Sequence, residues 1–176
     1  MTDWCSEMKN VFLIGGTMGA GKTTVCRILK KKLNRSVFLD GDWCWDMNPF
    51  QITDETKQMV MNNICFLLNS FIRCSAYENI IFCWVMHEQS IIDELVCRLD
   101  LTGCKAHAIS LVCSGQSLRA RLQKDIEAGI RERDIISRSE VRISMYDRLK
   151  TTKVDVSDIA PEQAADNIIL ITGMRK

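Results

Sequence analysis

Short apolar segments alternate with longer amphipathic segments along the chain. In the longer segments apolar residues recur every three or four positions, which predicts helices over 22–33, 54–76, 88–100, 138–149 and 161–171, and one from 117 onward. The apolar segments predict strands at 11–14, 37–39, 79–86, 106–112 and 153–156. The run from Ile80 to Met86 lacks polar alternation, as is typical of a parallel strand buried on both faces. This alternation predicts an α/β fold with a five-stranded parallel sheet between two helical layers.

Two regions interrupt this pattern. Residues 43–53 show no clear periodicity, and we expect them to be irregular. Gly129 interrupts a charged segment, and the surrounding residues, about 128–137, are predicted to form a short lid. No repeat or linker divides the chain, so we expect residues 1–176 to form a single domain.

Composition and charge narrow the function classes. The chain has 176 residues, of which 47% are hydrophobic and 26% charged, and its net charge of +1 attracts nucleic acid and anionic membranes only weakly. The longest apolar run is far shorter than the ~20 residues that a bilayer span needs. The first residues lack the basic segment of a secretion signal. We therefore expect a cytoplasmic monomer or homodimer that binds neither nucleic acid nor a membrane.

The nine cysteines give no metal or disulfide pattern. None has the CxxC spacing, and only two histidines are available to complete a zinc site. Most cysteines lie within apolar runs, as Cys83 does. We expect them to be small buried side chains with free thiols, in a reducing compartment.

A phosphate-binding motif follows the first predicted strand. The segment from Gly16 to Thr23 fits GxxxxGK[ST], and it lies between an apolar strand and a helix, as this motif requires. Glycines let backbone N–H groups turn toward a phosphate, and the helix N-terminus adds further donors. The predicted ATP-binding residues are Gly16, Thr17, Met18, Gly19, Ala20, Gly21, Lys22, Thr23 and Thr24. In a phosphate loop of this kind Lys22 would reach the β- and γ-phosphates and the hydroxyl of Thr23 would hold Mg²⁺.

Two carboxylates follow the second strand. Asp40 and Asp42 come next, whereas the third strand carries no acidic residue and the NKxD tetrapeptide of GTPases is absent. An attacking hydroxyl loses its proton, and a positioned carboxylate can accept it. The alternative is that Asp42 only caps a turn.

The phosphate loop followed by Leu39-Asp40-Gly41-Asp42 resembles the gluconate kinase and adenylylsulfate kinase group. The pair of aspartates is similar to that of shikimate kinase, and the overall layout resembles small P-loop antibiotic phosphotransferases and tunicamycin-resistance proteins. The resemblance implies a three-layer αβα P-loop fold that uses ATP and Mg²⁺. It also implies that Asp40 orients the magnesium ion and Asp42 holds the acceptor hydroxyl.

The residues after this motif depart from those kinases and leave the acceptor open. Trp43, Trp45 and Phe50 follow Asp42 closely, and Trp84 and His87 lie at the end of the third strand. Ligands of open α/β sheets bind at these strand ends, where aromatic rings suit a planar or apolar acceptor. Alternatively, the rings pack under the following helix, and His87 caps the next one.

Seven of the twelve arginines lie between 119 and 148. Arginines stabilise the charge that develops in phosphoryl transfer, and P-loop kinases supply them from a lid. We expect this role for Arg131 and Arg133. By resemblance, Arg119 and Arg121 would contact adenine or the phosphates, whereas Arg138, Arg142 and Arg148 are interpreted as a solvated, salt-bridged face.

The sequence thus predicts an ATP- and Mg²⁺-dependent phosphotransferase that acts on a hydroxyl of a small molecule. One alternative keeps the chemistry but has a nucleoside or nucleotide as the acceptor. Another is a nucleotide-binding regulatory module without kinase turnover. Asp42 argues against the module, because a sensor needs no carboxylate for an acceptor.

Overall fold

The computed structural model describes residues 8–174, which form one parallel sheet flanked by helices. The strand order is β2-β3-β1-β4-β5. The strands are β1 (Lys9–Gly16), β2 (Ser36–Asp40), β3 (Asn79–Cys83), β4 (Cys104–Val112) and β5 (Thr152–Asp155). The helices are α1 (Lys22–Lys32), α2 (Asp54–Arg73), α3 (Gln89–Arg98), α4 (Gly115–Glu127), α5 (Ile135–Ile143) and α6 (Pro161–Ile171). The predicted α/β fold with a five-stranded parallel sheet is confirmed.

The core lies on both faces of β1, the central strand. Phe12 and Ile14 point into a cluster completed by α1, α4 and α6, whereas Val11 and Leu13 point into one completed by α2 and α3. All four side chains are at most 1% exposed. Strands covered on both faces by helices read as continuous apolar runs. Since all strands are parallel, the loops after β1, β2 and β3 meet at one edge of the sheet.

Several boundaries differ from the predictions. β3 ends at Cys83 rather than 86, because the chain turns at Trp84, whose carbonyl accepts a hydrogen bond from the N–H of Met86 at 3.1 Å. The helix predicted over 138–149 is α5 followed by a 3₁₀ turn at Tyr146–Arg148. Gly41–Trp45 form another 3₁₀ turn, which overlaps the start of the segment 43–53 that was predicted to be irregular. The Asp40 side chain caps this turn by accepting a hydrogen bond from the N–H of Asp42.

The cysteines that the structure describes are free thiols. Cys26, Cys65, Cys83 and Cys113 are buried, and Cys5 lies outside the described residues. His107 is also buried, and its Nε2 donates a hydrogen bond to Asn10 Oδ1 at 3.1 Å. No helix within 8–174 is both long and apolar enough to cross a membrane.

Candidate active site

The loop between β1 and α1 forms a cradle of backbone N–H groups. Gly19 and Gly21 have φ angles of +85° and +88°, which favour glycine over residues with a Cβ. A Cβ on Gly19 would also come within 2.7 Å of Leu122 Cδ2. Gly21 is the N-cap of α1 and no side chain caps this helix, so its first N–H groups remain available. Such a helix N-terminus is a favourable site for an anionic phosphate.

Lys22 and Thr17 connect this cradle to the rest of the site. Lys22 Nζ donates to the carbonyl of Thr17 at 3.1 Å, and the Thr17 hydroxyl donates to the carbonyl of Ser139 at 3.1 Å. Burial lowers the pKa of Lys22, and the charges of Asp42 and Asp40 oppose that shift. These carboxylates therefore favour the charged lysine that phosphate binding needs.

Thr23 and Asp40 form the part of the site that fits a magnesium ion. The Thr23 hydroxyl donates to Asp40 Oδ2 at 2.7 Å, and Asp40 Oδ1 accepts from the backbone N–H of Asp42 at 3.2 Å. Hydroxyl and carboxylate oxygens beside a phosphate cradle suit Mg²⁺, which usually keeps several waters. Within 8–174 no three His, Cys, Asp or Glu side chains cluster as metal ligands. The residues present thus fit a magnesium ion shared with nucleotide phosphates, rather than one held by a protein cage.

Asp42 lies where two cavities meet. The nucleotide cavity, about 570 Å³, is lined by the phosphate loop, Asp42, Arg121, Arg131 and residues near the start of α6. The aromatic cavity, about 830 Å³, is lined by Asp42, Trp45, Phe50, Trp84, His87 and Arg142, among others. Met18 and Val85 also line both cavities.

The electrostatic surroundings of Asp42 raise its pKa above the usual value for an aspartate, which suits a proton acceptor. Although the side chain is accessible, partial desolvation raises the pKa of Asp42, and the neighbouring charge of Asp40 raises it further. Lys22 and Arg131 oppose this shift. A carboxylate with a raised pKa is a better general base, provided it stays ionised at the working pH.

The aromatic cavity contains some of the predicted acceptor residues. The rings of Trp45 and Phe50 lie 5.8 Å apart at 48°, and Trp84 packs on Gly41, where a Cβ would come within 2.6 Å of Trp84 Cγ. His87 Nδ1 lies 3.3 Å from the Val85 carbonyl oxygen. His87 does not cap α3, whose N-cap is Glu88.

Trp43 lies apart from the other predicted acceptor residues. It packs edge-on against Phe38, with ring centroids 5.5 Å apart, and is 53% exposed. It lines neither cavity. The 3₁₀ turn accounts for this placement, since it directs Trp43 and Trp45 to different sides of the chain.

The four arginines that were predicted to act in the site divide into two pairs. Arg121 lies at the nucleotide cavity and donates to the carbonyls of Val156 and Ser157. Arg131 lines the same cavity, and its Nε is 3.1 Å from Asp125 Oδ2. Arg119 instead pairs with Glu140 at 2.7 Å.

The second pair lies in a surface groove between α4 and α5, which Arg119 and Arg133 both line. The buried face of α4 carries Leu118 and Leu122, which turns Arg119 outward. Arg119 and Arg133 therefore lie outside the nucleotide cavity, and their contacts with a nucleotide stay predictions.

Arg142 is a residue of the aromatic cavity that the sequence analysis placed on a solvated face. Its side chain is half-buried and makes no hydrogen bond or ion pair with the described part of the chain. The sequence could have indicated that Arg142 faces inward. Ile135, Ser139 and Arg142 are spaced by four and three residues, so they share one helix face. Arg138, by contrast, forms the expected exposed ion pair, with Asp134 at 3.2 Å.

Comparison with known proteins gives the family. Residues 13–143 match the family model described as an AAA domain. The chain belongs to this family. Among curated proteins no sequence matches this AAA-domain chain.

Solved structures resemble the AAA-domain chain over nearly its whole length. The tunicamycin resistance protein of Deinococcus radiodurans has a TM-score of 0.72 and 16% identity, covering 95% of this chain and 98% of its own. A gluconokinase from Sinorhizobium meliloti has a TM-score of 0.66 and 16% identity, covering 94% and 99%.

A third structure contains ligands. The APS kinase of Mycobacterium tuberculosis, in complex with AMPPNP and APS, has a TM-score of 0.64 and 14% identity, covering 94% of this chain and 98% of its own. At such low identities the likeness establishes the fold alone. It confirms the predicted resemblance to small P-loop kinases.

Proposed function

We propose that the protein is a phosphotransferase that moves the γ-phosphoryl group of ATP to a hydroxyl of a small molecule. The observation that carries this proposal is the position of Asp42, which borders both the nucleotide cavity and the aromatic cavity. A carboxylate at that junction can reach a hydroxyl in one cavity and face a phosphate in the other. A nucleotide sensor would need only the first cavity.

Each residue of the junction has a chemical role in this proposal. Asp42 accepts the proton of the attacking hydroxyl, and Lys22 and Arg131, whose charges already act on Asp42, offset charge on the transferred group. Thr23 and Asp40 hold the magnesium ion. When bound, magnesium neutralises phosphate charge and orients the phosphates.

The segment 128–137 is proposed as the lid of a single domain. It runs from the end of α4 into the first turn of α5 and includes Arg131, which lines the nucleotide cavity. Closure of such a segment excludes water, which protects ATP from hydrolysis while the acceptor is positioned.

The walls of the aromatic cavity support an acceptor with a planar or apolar body. Its volume of about 830 Å³ exceeds that of the nucleotide cavity, and Trp45, Phe50 and Trp84 supply rings for stacking. Arg142 and His87 add polar groups to the same cavity, where they can bond oxygens of the acceptor. A nucleoside is a second candidate, since stacking walls suit a base as well as other planar rings.

The test is a thermal-shift screen with magnesium and AMPPNP held constant and hydroxylated acceptors varied: sugars, cyclic acids, nucleosides and nucleoside antibiotics. A ligand at 100 times its dissociation constant adds about 2.7 kcal/mol of stability. Hits are then assayed for phosphate transfer in the wild type and in Asp42→Asn. An acceptor that is phosphorylated only when Asp42 is present supports the proposal. The regulatory module would be favoured by a different result. AMPPNP would bind, no acceptor would be phosphorylated, and Asp42→Asn would leave the biological function of the protein unchanged.

A further inference from the structure

Helix α5 is attached to the rest of the molecule by few buried groups. Of its nine residues only Ile135 and Ser139 are buried. At its C-terminal end Arg142 lines the aromatic cavity, and the segment before its N-terminal end contains Arg131, which lines the nucleotide cavity. The orientation of α5 therefore determines where Arg142 lies, whereas Arg131 is held by its ion pair with Asp125 of α4.

A polar contact joins this helix to the phosphate loop. The Thr17 hydroxyl, buried with the residue 3% exposed, donates to the main-chain carbonyl of Ser139 at 3.1 Å. The bond crosses 122 residues of sequence. Since the acceptor is a backbone carbonyl, the side chain of Ser139 takes no part in it, and Ser139 Oγ is itself buried without a partner.

The same threonine also contacts the lysine of the phosphate loop. The carbonyl of Thr17 accepts from Lys22 Nζ at 3.1 Å and from the N–H of Ala20 at 3.2 Å. Thr17 thus connects Lys22, which a nucleotide phosphate would attract, to the helix that carries Arg142. A movement of Lys22 can therefore be transmitted to α5 through Thr17 alone.

We propose that Thr17 is a positioning residue that couples occupancy of the phosphate loop to the position of α5 and hence of Arg142. The inference rests on the proposed function and deepens it, because it names how nucleotide binding prepares the acceptor cavity. Lys22 has three N–H donors, so it can bond a phosphate while it keeps the Thr17 carbonyl, and the loop then settles around the phosphate. The Thr17 hydroxyl transmits that ordering to the Ser139 carbonyl and fixes α5.

The test is hydrogen exchange of backbone amides, measured with and without magnesium-AMPPNP, in the wild type, Thr17→Val, Thr17→Ser and Ser139→Ala. Valine has nearly the shape of threonine but cannot donate, serine restores the donor, and Ser139→Ala keeps the accepting carbonyl. We expect AMPPNP to slow exchange in 135–143 by about fivefold or more in the wild type, Thr17→Ser and Ser139→Ala, a size typical of coupling between sites. In Thr17→Val the phosphate loop should still be protected, whereas 135–143 should change less than about twofold.

Two results would overturn the inference, and they have different meanings. If Thr17→Val transmits protection to 135–143 as well as the wild type does, the coupling through the hydroxyl is wrong while the proposed function stands. If AMPPNP protects neither the phosphate loop nor α5 in the wild type, the nucleotide site fails and the coupling fails with it. Unfolded Thr17→Val would be recognised by its exchange throughout β1, and Thr17→Ala then replaces it in the comparison with Thr17→Ser.

Discussion

The nucleotide cavity and the aromatic cavity share Asp42 but are built in different ways. The floor of the nucleotide cavity is one continuous segment, Met18 to Val25, whose backbone supplies donors, and side chains of other elements complete its walls. The aromatic cavity is formed by side chains from the loop after β2, from α2, from the loop after β3, and from α3 and α5. The first therefore suits a constant chemical group, a phosphate, whereas the second can vary with the acceptor.

This difference locates specificity in the molecule. A backbone cradle changes little when its side chains are substituted, because N–H groups and helix dipole do the binding. A cavity made of side chains from several elements changes with each substitution. Variants of the two cavities should therefore separate nucleotide binding from acceptor binding, and residues at their junction should affect transfer alone.

The largest effect is expected at the junction. Asp42→Asn removes the proton acceptor, and we expect phosphate transfer to the screened acceptor to fall about 100- to 10,000-fold. The dissociation constant for AMPPNP, measured by calorimetry, should change little. Asp46→Asn is the matched control, since Asp46 lies in the same exposed loop and lines neither cavity. Equal losses in both variants would remove Asp42 from the mechanism.

A large effect confined to the nucleotide cavity is expected for Lys22→Ala. Loss of this charge should lower turnover about 100- to 1,000-fold, by analogy with removal of one donor to developing charge. It should also weaken AMPPNP, seen as a smaller thermal shift. Lys31→Ala, an exposed lysine in the last turn of α1, should leave both quantities unchanged. An undiminished AMPPNP shift in Lys22→Ala would contradict the assignment of the cradle.

A pH profile sharpens the assignment of Asp42. Because the pKa of Asp42 is raised by desolvation and by Asp40, its protonation should reduce kcat/KM at a pH above that expected for an ordinary Asp. Below this pKa, kcat/KM should fall about tenfold per pH unit, and above it the acid limb should be flat. The residual activity of Asp42→Asn should not show this fall of kcat/KM at acid pH. If the fall persists in Asp42→Asn, it arises from the protonation of another group.

The smallest effect is expected in the aromatic cavity. Trp45→Leu removes a stacking surface worth about 0.5–1.5 kcal/mol beyond burial, so the KM for the acceptor should rise about 3- to 10-fold. The affinity for AMPPNP should not change. Trp43→Leu is the control, because Trp43 packs against Phe38 outside the cavity. Equal effects of the two substitutions would show that the rings contribute to folding rather than to acceptor binding.

Much of the fold and part of the candidate site could be predicted from local patterns. The periodicity around Phe12 and Ile81 identified strands, and the spacing from Gly16 to Thr23 identified the cradle. Helix faces were harder to predict. Arg119 and Arg121 are two residues apart, yet only Arg121 lies at the nucleotide cavity, because the packing of α4 decides which side faces inward.

Features that arise from neighbouring residues can be derived from the sequence alone. Glycine spacing, apolar periodicity and the pair Asp40 and Asp42 each act over a few positions, so their physical consequences are local. Contacts between distant residues depend instead on how the helices pack. Arg142 joins Trp45 and Trp84, and Thr17 bonds Ser139, because α5 packs beside the phosphate loop. Such contacts depend on the packing of helices that no local spacing specifies.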